Sequence, residues 1–169
     1  MTPPGEPDNR LTPEQALINL AYSYLDLKEE GGDNRGQVIE RMTRFCGLNP
    51  PQPWCAAAVA WWGWHALRVD SKTSRWPLPK TASCWQLGES ARKAGLLREA
   101  GKAGDVFLIY YPSLNRFAHT GVLVRQEGDR WVTIEGNTNN DGSRNGWGVC
   151  ERRRTFGPKD RFVRWTEAI

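Results

Sequence analysis

Asp105-Val106-Phe107-Leu108-Ile109-Tyr110-Tyr111 is the point at which the texture of the chain changes. Upstream, apolar residues recur at helical spacing. Downstream, short β-branched and aromatic runs at 106–111, 118–125, 130–135, 147–154 and 161–166 are separated by Gly, Asn and Asp, the punctuation of strands and turns. Helices first and a strand meander after predict an α+β fold. N-terminal helices would pack on a C-terminal antiparallel sheet of about five to six strands.

The helical half carries its own boundaries. Thr12-Pro13-Glu14-Gln15 reads as an N-cap, a proline at the first helical position and a capping box. Ala16, Leu17, Leu20, Ala21, Tyr24 and Leu25 then follow the helical period, and Gly31-Gly32 is expected to close a helix over 12–29. A second helix over 36–46 stops at Gly47, and Asn49-Pro50-Pro51-Gln52-Pro53 is a stiff connector. A third runs from Cys55 to about Leu67, and a fourth over 83–94 closes at Gly95. Residues 1–11 read as a flexible arm and 12–169 as a single domain without internal repeats.

Composition narrows the classes. A length of 169 residues supports a real core. Nine tryptophans suit either that core or a groove for an extended, partly apolar ligand. Cys46, Cys55, Cys84 and Cys150 show no paired CxxC spacing, which speaks against structural zinc. Cys46, Cys84 and Cys150 read as small buried hydrophobes, with a Cys46–Cys84 or Cys84–Cys150 disulfide left open. Residues 1–50 hold five basic and eight acidic side chains, leaving eighteen against eleven in the remainder. That basic part suits a polyanion such as the bacterial cell wall or nucleic acid, with Arg152-Arg153-Arg154 as its patch or simply a solvated face. No stretch approaches the ~20 apolar residues of a membrane span, and the N-terminus reads as no secretory signal. The expectation is a protein made in the cytoplasm that reaches its target after release or delivery, without a membrane partner.

The chemistry centres on Pro53-Trp54-Cys55-Ala56-Ala57-Ala58-Val59-Ala60-Trp61-Trp62. A thiol becomes a useful nucleophile as thiolate, which a helix N-terminus and a neighbouring imidazolium both favour. The N–H of Cys55 would also be free to bind a developing oxyanion. The chain has two histidines. His65 lies ten residues along the same helix, roughly 15 Å away, and is excluded as base. His119 opens a strand. Pairing across the turn Gln126-Glu127-Gly128-Asp129 brings it opposite Glu135 or Gly136, where an acceptor can orient the imidazole. Asn137 would face the same side if the strand continues.

The series Pro53-Trp54-Cys55-Ala56-Ala57-x-Val59, Gly104-Asp105-Val106, Ala118-His119-Thr120-Gly121 and Thr133-Ile134-Glu135-Gly136-Asn137-Thr138 resembles the CHAP family. These are cysteine- and histidine-dependent amidohydrolases/peptidases of the wider NlpC/P60, papain-like group, and the likeness covers about residues 30–155. The resemblance implies an NlpC/P60 fold, Cys55 as nucleophile, His119 as general base, and Glu135 and Asn137 as its orienting residues. It implies cleavage of an amide in peptidoglycan, either the muramoyl–L-alanine bond or a bond within the stem or bridge. Trp54, Gln52 and Asn34 are substrate-side or oxyanion candidates: Gln52 as a second donor, and Asn34 because Asn34-Arg35-Gly36 resembles a segment preceding the nucleophile in some phage lysins.

Some family members bind calcium ahead of the nucleophile. Asp26, Glu29, Glu30 and Asp33 match no such loop, so they are expected to form a solvated face, and no metal or cofactor is expected. The implied roles are a phage-type endolysin or an injected antibacterial effector, the latter requiring an immunity protein. The partner is peptidoglycan, targeted by the domain's own basic part, and the protein is expected to be a monomer. A catalytically silent wall-binding module is the alternative. Nucleic-acid binding has no recognised motif behind it.

Overall fold

The computed structural model describes residues 11–138 and 146–169, so all but the last residue of the expected arm lies outside the described residues. Four helices come first: α1 (Pro13–Tyr22), α2 (Gln37–Phe45), α3 (Cys55–Ala66) and α4 (Cys84–Lys93). Six strands then form one antiparallel sheet: β1 (Leu97–Arg98), β2 (Val106–Tyr111), β3 (Arg116–Glu127), β4 (Arg130–Thr138), β5 (Gly148–Arg154) and β6 (Arg161–Val163). Their order across the sheet is β1-β6-β2-β3-β4-β5. The fold is α+β, as the texture change predicts.

Local chemistry sets most boundaries. Thr12 closes the capping box of α1, with Gln15 N donating to Thr12 Oγ1 at 3.2 Å and Thr12 N to Gln15 Oε1 at 3.0 Å. The helix nevertheless ends at Tyr22, well short of residue 29. Asp26 takes a left-handed turn (φ 70°). Beyond it the backbone joins β5: Val149 N donates to Leu27 O at 2.9 Å and Glu29 N to Trp147 O at 2.7 Å. A sheet edge wins residues 27–29 from a helix whose apolar period they could have continued. At the C-terminus the expected strand over 161–166 shortens to β6, and Trp165–Ala168 forms a 3-10 turn. Trp165 is buried there and donates to Gly104 O at 2.8 Å.

The core explains the position of α3. Ala56, Ala57, Ala58, Val59, Ala60 and Trp62 are all buried, so this helix is apolar around its circumference and lies inside the protein. Its small side chains allow close approach by the sheet. A Cβ at Gly136 of β4 would stand 2.8 Å from the Trp54 ring and 2.9 Å from Ala58 Cβ, a spacing that glycine alone fits. Val106, Leu108, Val122 and Ile134 face the helices. Phe107, Leu123 and Phe162 alternate with them to build a second apolar cluster beneath Trp131 and Phe156. Of the tryptophans, Trp54, Trp62, Trp76 and Trp165 are core, whereas Trp85 and Trp147 are exposed.

Candidate active site

Cys55 is the first residue of α3, 3% exposed, at the wall of a cleft of about 330 Å³. Cys46, Gln52, Pro53, Lys80, Cys84, Arg116 and Phe117 are among the residues lining it. The charged lining residues are Lys80 and Arg116, with no carboxylate between them. Lys80 is held over the rings of Phe45 and Trp64, 4.5 and 4.6 Å from their centroids.

The expected base, His119, arrives on the β3–β4 hairpin. Glu127 pairs with Arg130 across a two-residue turn, and a bulge beside Val124 shifts the register so that Val122 pairs with Ile134. Counting on in this register, Glu135 faces Gly121, and His119 faces Asn137. The expected opposition of His119 to Glu135 or Gly136 therefore gives way to a diagonal contact, because the bulge adds a residue to one strand. That contact is made: His119 Nε2 lies 2.7 Å from Glu135 Oε2, and both side chains are fully buried. Gly121 makes it possible, since a Cβ there would stand 2.9 Å from Glu135 Cγ and 2.8 Å from Ile134 O.

Glu135 has a further partner. Arg154 donates from Nε to Glu135 Oε1 at 2.5 Å and from its terminal nitrogen to Oε2 at 2.6 Å, a fork on a carboxylate. Thr133 Oγ1 donates to Oε1 at 2.6 Å. Arg154 is thus an internal residue and neither part of a solvated face nor a polyanion patch. Three consecutive arginines conceal it in sequence: the strand's alternation sets Arg153 apart from Arg152 and Arg154, and only the contact with Glu135 marks out Arg154. Arg153 turns outward to Glu127 and Glu151.

These contacts set the charges. Burial pushes the Glu135 carboxyl up, but Arg154 and His119 more than reverse it and hold it at about 2. Burial opposes a charged His119 too, yet Cys55 and Glu135 outweigh it and raise the imidazole to about 9. The Cys55 thiol is held well below its ordinary value, first by the hydrogen bond with Cys84, then, against burial, by His119 and the Ala56 N–H. Nε2 is committed to Glu135, the buried Nδ1 has no hydrogen-bond partner among the described residues, and Cys55 is the other group that acts on this imidazole. The site is a thiolate–imidazolium pair backed by a carboxylate and a guanidinium.

Other expected residues divide. Gln52 lines the cleft, whereas Asn34, in a left-handed turn before α2, is not among its lining residues. Trp54 is completely buried and donates from Nε1 to Glu29 at 2.9 Å, so it packs the helix start instead of meeting a ligand. That bond also removes Glu29 from the expected solvated face. Asn137 sits at a second bulge with φ 54°. In the amide orientation that satisfies both its atoms, it donates to Gly146 O at 2.6 Å and accepts from Trp54 N at 3.2 Å. Asn137 therefore ties β4 to the start of α3, and its bonds go to the backbone, not to His119. Asp105 is bound by Arg164 and by Lys102 N, a structural pair. His65 donates from Nδ1 to Trp61 O within its own helix, at 2.8 Å.

All four cysteines are free. Cys84, expected to be an inert hydrophobe or a partner of Cys46 or Cys150, stands 3.5 Å from Cys55 instead. No spacing pattern signals this. Among the described residues no three His, Cys, Asp or Glu side chains gather as metal ligands, and no helix is long and apolar enough to cross a membrane.

No model of a known protein family matches the chain, and no curated protein matches it. Among solved structures it is similar to the crystal structure of Ly7917, with a TM-score of 0.48 and 15% identity. It is also similar to the crystal structure of Ly7917 with the hydrolyzing product of MDP, with a TM-score of 0.50 and 16% identity. Each alignment covers 90% of this chain and 62% of the other, so the chain spans less than two thirds of the length of Ly7917. At that identity the second likeness bears on the fold alone, and the fold it supports is this α+β arrangement of helices on an antiparallel sheet.

Proposed function

We propose that this chain is a cysteine amidohydrolase/peptidase of the CHAP type, with an NlpC/P60-like fold, that hydrolyses an amide bond of bacterial peptidoglycan. The observation that carries the reading is the buried line Cys55–His119–Glu135–Arg154 opening onto a cleft. In this mechanism the Cys55 thiolate attacks the carbonyl carbon while the N–H groups at the start of α3 receive the developing oxyanion. Gln52, on the cleft wall, is the candidate second donor. The His119 imidazolium passes its Nδ1 proton to the leaving amine as the tetrahedral intermediate collapses to an acyl-enzyme. The neutral imidazole then takes a proton from water, which attacks the thioester and releases the acid.

Two further observations support the substrate class. A cleft whose charged lining residues are Lys80 and Arg116 suits the carboxylate-bearing stem peptides of the wall. Ly7917, whose fold is similar, has been solved with the hydrolyzing product of MDP, so a similar fold is known beside a hydrolysis product.

The test is digestion of purified peptidoglycan by the wild type, Cys55→Ala and His119→Ala, each checked for folding by circular dichroism. Both variants should lose wall lysis by at least about a thousandfold. Lysis by folded Cys55→Ala would sink the proposal. Mass spectrometry of the wild-type digest then assigns the bond: a freed L-alanine amine marks an amidase, and new termini in the stem or bridge mark an endopeptidase.

A further inference from the structure

Cys84 is a buried nucleophilic group for which the hydrolytic cycle above has no use. It begins α4 as Cys55 begins α3, so two helix N-termini converge on one pair of sulfurs. The Sγ atoms are 3.5 Å apart, too far for a disulfide at about 2.0 Å and suited to an S–H···S contact. Cys84 is held there by its neighbours. Ser83 Oγ accepts from Gln86 N at 3.2 Å, and Thr81 Oγ1 accepts from Ser83 N at 3.0 Å and donates to Gln86 Oε1 at 2.6 Å. Ala56 and Phe117 pack on the pair, yet both cysteines line the cleft, so a small solute that reaches one reaches the other.

We propose that Cys84 is a positioning residue for the Cys55 thiolate, donating its S–H to it, and the resolving thiol that closes a reversible Cys55–Cys84 disulfide when a peroxide oxidises Cys55. This rests on Cys55 being the reactive thiol of the proposed hydrolase, and it does not depend on which bond is cut.

The oxidation balances with hydrogen peroxide as oxidant. The Cys55 thiolate attacks one peroxide oxygen, the O–O bond breaks, and the departing oxygen leaves as water after taking a proton; Cys55 becomes a sulfenic acid. The Cys84 sulfur then attacks Cys55 Sγ, its own proton accompanies the departing hydroxide as a second water, and the S–S bond forms. Two thiols and one peroxide give one disulfide and two waters. A dithiol reductant reverses the link by exchange and is itself oxidised to a disulfide. The surroundings favour this order. The hydrogen bond with Cys55 and burial push the Cys84 thiol well above its ordinary value, so it stays protonated while Cys55 is charged. Once Cys55 is a neutral sulfenic acid its part of that opposition is gone; burial remains, and Arg116 favours the Cys84 thiolate against it.

The experiment follows alkylation of Cys55 by iodoacetamide against pH, peptide by peptide, in full-length wild type, Cys84→Ala and Cys84→Ser. In Cys84→Ala the midpoint should move up by about one pH unit, and Cys84→Ser, which keeps a donor, should restore most of it. An unchanged midpoint in Cys84→Ala overturns the positioning role. Peroxide on the wild type needs no variant. The expected product is a peptide linking Cys55 to Cys84, with alkylatable Cys55 recovered by dithiothreitol. Accumulation of sulfinic or sulfonic acid at Cys55 without the linked peptide overturns the resolving role. Because both readouts follow the thiols and not wall lysis, a chain that fails on peptidoglycan would leave them interpretable.

Discussion

At the scale of single residues, the site holds together because charges that burial opposes are matched in pairs. A lone buried thiolate would be costly, but His119 answers Cys55, Glu135 answers His119, and Arg154 answers Glu135. The consequence for pH is direct. Cys55 is charged well below the ordinary thiol value, and His119 keeps its proton until about pH 9. Iodoacetamide at mildly acidic pH should therefore label Cys55 selectively. Burial pushes Cys46 up to about 11 and raises Cys150, so both should remain largely unlabelled. The hydrolysis rate should fall as pH rises through about 9, where the imidazolium that protonates the leaving amine is lost. A kcat/KM profile with no alkaline limb near that value would contradict the pairing.

At the scale of elements, what could be read beforehand was whatever a local signal writes. Stop glycines gave the ends of α2 and α4 nearly to the residue, because Gly47 and Gly95 act within a turn of where they stand, and the stiff connector before Cys55 gave the start of α3. Cys55, His119 and Glu135 could be found from order and rough register. Long-range competition could not. Residues 27–29 join β5 instead of extending α1, β1 is two residues long, and the bulges at Val124 and Asn137 change register without a sequence mark. Arg154 and Cys84 reach the site through those same long-range arrangements. Gly121 is the local price of the diagonal His119–Glu135 contact. Gly121→Ala would meet backbone at Ile134 O and the Phe107 ring at 2.8 Å, and Glu135 Cγ at 2.9 Å. It should cost about 1–3 kcal/mol in denaturant unfolding and lower activity more than tenfold by displacing the carboxylate. Full activity in this variant would show that the diagonal contact is dispensable.

At the scale of the whole molecule, the proposed catalytic line is also a stability element. Glu135 lies at about 2 in the fold against an ordinary 4.5. Its ionised form therefore stabilises the protein above about pH 4.5, and that contribution drains away as pH falls towards 2. The stability advantage of the wild type over Glu135→Gln, measured by urea unfolding, should shrink across that window. The Cys55–His119 pair behaves differently. Between about pH 6.5 and 9 the folded pair holds one proton, on His119, and the unfolded pair also holds one, on the thiol, so it adds almost no slope there. Arg154→Met would leave Glu135 buried without its guanidinium and should cost about 3 kcal/mol, read as a lower urea midpoint. An unchanged midpoint would deny Arg154 its internal role.

The seat of α3 on β4, where Gly136 lets Trp54 and Ala58 approach, has a kinetic meaning as well. Cys55 and His119 are sixty-four residues apart in the chain, and a contact of that span closes late because the intervening loop must first be ordered. Until it closes and Cys84 stands beside the sulfur, Cys55 is close to an ordinary thiol. Its reactivity is thus a clock for the final docking step of refolding. Pulses of iodoacetamide at mildly acidic pH, after dilution from urea, should label Cys55 only after helical circular dichroism has recovered. Labelling in step with the helical signal would place the docking of helix on hairpin at the start of folding instead.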